Sequence, residues 1–202
     1  MFPEISIVKV KDTYIYIKNI LNWARDNPGL KEMLEVPFDD LINSIDQVVD
    51  KFKPILEKNK THILKRIPEI SGFPWSDDNH CIHVYPTPFF NSFSHPLFLK
   101  VCRLKAGKIV GRKNGHILGT LIHELCHNNF KNLPVERGMN ESLINYIVLT
   151  ILDEVDSIYT KEYLDFHEKI GSKIDLSRIP ESIKSGRQSI VTLFLKQQKK
   201  SS

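Results

Sequence analysis

The chain has 202 residues, 41% hydrophobic and 26% charged, enough to bury a sizeable core in one domain and ordinary for a soluble protein. With 28 basic and 24 acidic residues the net charge is only +4, too mild a surplus to argue for nucleic acid, and no such partner is expected. No apolar run reaches the roughly 18 residues of a membrane span, and Met1-Phe2-Pro3-Glu4-Ile5 lacks the basic start of a secretory signal, so a cytoplasmic protein without a membrane partner is expected.

Residues 12–25 read as a short helix, although Ile5 and Ile7, and again Tyr14 and Tyr16, also fit the alternation of a strand. Asn27-Pro28-Gly29 closes that segment with turn chemistry. Over 38–60, Leu41, Ile45, Val48, Phe52 and Ile55 recur at helical spacing, backed by Ile42, Val49 and Leu56. Pro54 is expected to kink or break this helix, with Ile63 and Ile67 on a second short helix or a continuation. Pro68, Gly72 and Pro74 mark a connection, and Asp77-Asp78-Asn79 reads as a turn because the ligand spacing of a calcium loop is missing.

Cys81-Ile82-His83-Val84-Tyr85 and the run from Leu97 to Leu104 read as strands, separated by a loop containing Pro86, Pro88 and Pro96. His80, His83 and His95 fall in this region with Trp75, Phe89, Phe90 and Phe93. They read as core filling, or alternatively as a cleft edge that pairs with extended substrate backbone. Ala106-Gly107 and 111–115 are turns. A helix over about 116–130 follows, then a loop of about 10 residues and a helix over about 139–157. The last 35 or so residues read as helical, broken by Gly171 and Pro180, and the basic residues at 196–200 read as a solubilising end. Cys81, Cys102 and Cys126 form neither a CxxC pair nor an even set, which predicts reduced thiols, with Cys126 packed in the core. This order predicts one α+β domain over 1–202, with 1–70 a helical portion and 75–170 the part that carries the chemistry.

That chemistry centres on His123-Glu124-Leu125-Cys126-His127. Histidines at i and i+4 share a helix face and can offer two neutral nitrogens to one ion. Glu124, about 100° further round, can reach a water rather than the metal. The apolar residues Ile117, Leu118, Leu121, Ile122 and Leu125 would anchor the helix and leave the histidines facing a cleft. With 8 histidines in 202 residues, chance placement yields the pattern in about 0.02 of such chains, so the helical setting adds weight. A catalytic zinc site usually has three protein ligands and one open position. Position 133 is leucine, which rules out a histidine six residues after His127. The best third donor is Glu141, which lies off the core stripe of Leu143, Ile144, Ile147, Val148, Ile151 and Leu152. Asn145, one turn later, is placed to orient a ligand histidine. Glu136 competes as a ligand but has Arg137 beside it, which favours a salt-bridged surface role.

The HELCH run followed by Asn140-Glu141-Ser142-Leu143-Ile144-Asn145-Tyr146 resembles the gluzincin branch of the zincin metallopeptidases, and its short spacing is similar to that of compact minimal gluzincins. The resemblance covers about 120–155. It implies a zincin-like fold, in which a small mixed or antiparallel sheet packs on the active-site helix and a ligand helix, with further N- and C-terminal helices. It also implies Zn2+ held by His123, His127 and Glu141, Glu124 as general base, and a peptide or protein substrate. Tyr146, Tyr159, Tyr163, His116 and His167 are candidates for stabilising an oxyanion, and spacing does not choose among them. Three rivals stand beside the peptidase: a non-catalytic or regulatory zinc-binding protein, a DNA-associated protein, and a latent enzyme whose cleft is covered.

Overall fold

The structure, a computed structural model, describes residues 3–9, 37–76, 79–84, 92, 94, 97–105, 108–130, 137–172, 174–177, 179–186 and 190. The helix expected over 12–25, its closing turn, the aromatic loop with His95, Glu136 and the basic tail lie outside these residues. Among the described residues the chain is α+β and mostly helical.

The longest element, α1 (Phe38–Ser71), runs through Pro54 as one helix, so the continuation through Ile63 and Ile67 holds and the division that Pro54 could have made does not occur. Its inner face is apolar from end to end: Ile45, Val49, Phe52, Leu56, Ile63, Leu64 and Ile67 are all buried. Pro54 lies on the exposed side. The hydrogen bond it withholds there costs less than dividing a continuous buried stripe would. Pro68 also sits inside the helix, and the chain stops only at Gly72, whose φ of 81° and N–H donated to the Pro68 carbonyl form a left-handed cap.

The described strands form two small sheets, of which the second packs against this helix. β1 (Glu4–Lys9) and β2 (Asn79–Val84) pair in parallel, with Ile5 opposite His80 and Ile7 opposite Ile82. The strand alternative for Ile5 and Ile7 therefore holds, and Asn79 belongs to a strand rather than a turn. On its other side β2 meets Phe98 through His83: the His83 N–H donates to the Leu97 carbonyl at 2.8 Å, and the Leu99 N–H to the His83 carbonyl at 3.0 Å. β3 (Cys102–Lys105) and β4 (Lys108–Gly111) form an antiparallel hairpin. The strand expected over 97–104 thus has its ladder only from Cys102. The alternation over 97–101 does report burial, since Leu97, Leu99 and Val101 are buried. β4 replaces part of the expected turn, because Gly111 ends a strand that Ile109 and Val110 build. The anticipated single sheet is two separate pairs.

Three helices follow: α2 (Asn114–Phe130), α3 (Arg137–Val155) and α4 (Ser157–Lys169). α4 was not separated in the sequence reading. Asp156 makes the division: its side chain accepts the Ile158 N–H at 2.9 Å and caps α4. Beyond Gly171 (φ 70°) and Pro180 only a short α5 (Glu181–Lys184) is described.

The last turns of α1 are clamped to α3. Arg66 donates from Nη2 and Nε to the two oxygens of Glu154 at 2.7 and 2.8 Å, and from Nη1 to Glu69 at 2.7 Å. These bonds hold the Glu154 carboxyl below its ordinary range, with the Arg66 hydrogen bond the chief cause. Arg66→Ala is expected to lower stability at neutral pH by about 1 kcal/mol in urea denaturation. A carboxylate whose folded pKa is depressed contributes stability above its unfolded value and loses it as pH falls through the folded one. The gap between variant and wild type should therefore narrow as pH drops below about 4.

Candidate metal centre

α2 is positioned by its glycines. A Cβ at Gly115 would lie 2.6 Å from the Tyr159 backbone, and one at Gly119 would lie 2.3 Å from the Tyr163 ring. Small residues at these i and i+4 positions let α4 lie directly on α2. The same spacing continues to His123 and His127, so the stripe that seats α4 turns into the histidine pair. The start of α2 is held from α4 as well, where Glu162 Oε2 accepts the Gly115 N–H at 2.8 Å. Leu118, Leu121, Ile122, Leu125 and Cys126 on the remaining sides are fully buried. The Cys126 thiol is pushed up by that burial and is a packing group, as expected.

α3 returns after residues 131–136, a shorter connection than expected, and brings Glu141 over the histidines. Its core face is the anticipated one: Leu143, Ile144, Ile147, Val148, Ile151 and Leu152 are buried. Glu141 Oε2 lies 3.5 Å from His123 Nε2, and Oε1 lies 3.5 Å from His127 Nε2. The two Nε2 atoms are 3.1 Å apart. His123, His127 and Glu141 are the one such group of possible metal donors among the described residues.

The donor set fits a divalent cation. Bonds of about 2.1 Å in a tetrahedron give edges of roughly 3.4 Å, close to the spacings found here. Burial, reinforced by His127 and then His167, lowers the His123 pKa to about 3, so its imidazole is neutral at ordinary pH. Two imidazole nitrogens and a carboxylate then bring lone pairs to one point. Such a donor set suits a divalent cation once the ring protons on the facing nitrogens have been displaced.

Glu124 is 8% exposed, on the same helix as the histidines but off the metal triangle. Burial, with Glu141 adding to it, raises its pKa to about 7. A bound cation would oppose that rise. A carboxyl balanced near neutrality can both take and return a proton.

Other side chains singled out in the sequence are placed differently. Asn145 receives the Tyr163 hydroxyl at 3.5 Å, and His123 Nδ1 is buried with no hydrogen-bond partner, so Asn145 does not orient that histidine. The Tyr146 hydroxyl points at the Ile183 and Lys184 carbonyls, 3.4 Å from each. His116 lies at the start of α2, with Tyr159 of α4 packed against Gly115 beside it, about 10 Å before the histidines along the axis. Tyr163 is buried at 2% exposure. His167 is half-buried, its ring 4.6 Å from that of Tyr163, and near enough to His123 for their charges to repel. His80 is buried against Trp75, ring centres 4.8 Å apart, which is the core-filling arrangement.

The sequence reading missed α4 and with it the pairing of Tyr163 and His167 beside the centre. The signal was the Asp156-Ser157 cap followed by Tyr159, Tyr163 and His167 at four-residue spacing. No helix among the described residues is long and apolar enough to cross a membrane. No family model, curated protein or solved structure matches the chain.

Proposed function

We propose that the chain is a zinc-dependent hydrolase with a zincin-like catalytic core, a metallopeptidase acting on peptide or protein substrates. His123, His127 and Glu141 hold Zn2+ in this reading, and Glu124 is the general base. The observation that carries it is the convergence of two imidazole nitrogens and a carboxylate within 3.1 to 3.5 Å. Two histidines and one glutamate are a donor set of catalytic zinc, and three protein ligands leave a position open for chemistry.

Zinc held there supplies Lewis acidity for a scissile carbonyl and lowers the pKa of water towards 7. Glu124 takes the proton released as water attacks the carbonyl, then delivers it to the departing amine. The buried residues around Glu124 keep bulk water from competing for that proton. His123 and His127 are held in register by the helix, and Glu141 by the apolar face of α3, so ligand geometry is set by packing rather than by loops.

Elemental analysis tests the metal assignment. Wild type purified under zinc-replete conditions is expected to contain about one zinc per chain, and Glu141→Ala to bind it 10-fold or more weakly. A wild type without zinc refutes the proposal, whereas full occupancy in the variant removes Glu141 alone from the ligand set.

A further inference from the structure

Arg112, between β4 and α2, carries a guanidinium with no carboxylate partner among the described residues. Its Nη1 lies 3.3 Å from His116 Nε2, and its Cζ lies 5.2 Å from the centre of the Phe166 ring. Phe166 also stacks on His116, ring centres 3.5 Å apart. The Nε of Arg112 is buried with no acceptor. Burial lowers the pKa of Arg112 to about 10 and that of His116 to about 3, so at neutral pH a cation rests against an uncharged imidazole.

The neighbouring charges add to this potential rather than cancel it. Arg103 and Lys100 are both close enough to Arg112 to interact by charge repulsion. Arg103, Arg112, Lys113 and Lys169 border a cavity of about 70 Å³, floored by Phe166. The two acids on its wall are engaged elsewhere. Glu162 accepts the Gly115 N–H at 2.8 Å and pairs with Lys113 at 3.8 Å, and Asp165 takes Lys161 at 3.2 Å. A wider polar groove of about 450 Å³ runs on from Arg112 and Lys113 past Ser44, Gln47 and Lys51. An uncompensated, half-buried guanidinium is a costly arrangement, and an anion from solution is what would offset it.

We propose that the Arg112 cavity is a binding site for a small oxyanion, a carboxylate or phosphoryl group, whose carrier molecule extends along the adjoining groove. The site stands at the start of α2, with Arg112 eleven residues before His123 in the chain, and does not depend on the metal. Guanidinium suits this class because its planar donors match two oxygens of one group.

Nuclear magnetic resonance on the intact ¹⁵N-labelled chain tests it, with inorganic phosphate and acetate titrated separately at constant ionic strength. The Arg112 Nε–H and the Lys113 backbone N–H resonances are expected to shift saturably, the backbone signal also reading binding in a variant without the guanidinium. Tighter binding in the phosphate arm identifies a phosphoryl group, and equal or tighter binding of acetate identifies a carboxylate. Arg112→Met is expected to weaken binding at least about tenfold, and Glu141→Ala to leave it unchanged. The proposal is overturned by the absence of a saturable shift with either anion, by unchanged affinity in Arg112→Met, or by loss of binding in Glu141→Ala, which would put the anion at the histidine centre. Should Arg112→Met fail to fold, the wild-type titration decides alone.

Discussion

Replacing Glu124 with glutamine is expected to reduce peptide hydrolysis by roughly 10²- to 10⁴-fold while zinc content stays at the wild-type level. Glutamine keeps the shape of the side chain and its place in the core, so the fold and the histidine pair are retained. It removes the carboxyl beside the triangle that takes the proton in the proposed mechanism. Turnover of a mixed peptide library followed by mass spectrometry, with metal analysis on the same preparations, reads both quantities. The pairing of results separates the enzyme from a protein that merely holds zinc. A non-catalytic zinc protein would lose its function in His123→Ala and keep it in Glu124→Gln. Unchanged peptide cleavage in Glu124→Gln would sink the general-base assignment.

Gly119→Ala is expected to destabilise the fold by about 1–3 kcal/mol, and Gly119→Val by more, in urea denaturation. Two effects oppose each other. Alanine favours a helix over glycine by about 1 kcal/mol. Against that, the new Cβ would meet three atoms of the Tyr163 ring at 2.3, 2.7 and 2.9 Å. The ring is buried and its helix is seated on α2 at Gly115 as well, so neither can withdraw cheaply. Overpacking wins. An increase in stability for Gly119→Ala would show that α4 sits less tightly on α2 than these distances require.

The histidine helix and the carboxylate helix were legible because each carries its own periodicity. His123 and His127 are bound to share a face once residues 114–130 are helical, and the apolar stripe from Leu143 to Leu152 fixes which side of α3 faces inward. Glu141 could be singled out because it lies off that stripe, with Glu136 set aside for the Arg137 beside it. The boundaries of α4 were harder to read, since tyrosine and histidine at four-residue spacing look like a mixed surface until two glycines on another helix are seen to receive them. Pro54 left the division of α1 open for a related reason: a proline signals a kink or a break locally, whereas the continuity of α1 is decided by buried residues on its opposite side. Arg112 offered no signal in one dimension. Its isolation from carboxylates among the described residues emerges only when α4 packs beside it and its acids are occupied by other partners.

The bond from Glu162 to the Gly115 N–H also orders events during synthesis. α2 emerges from the ribosome before either the carboxylate that completes its donor triangle or the carboxylate that caps its first turn. While those later segments are still being translated, the two histidines form an incomplete chelator on a helix with a frayed start. If the donor triangle holds zinc as proposed, high-affinity metal capture is a late step in biogenesis that waits for α3 to bring Glu141. A nascent chain stalled before residue 141 should be recovered without stoichiometric zinc.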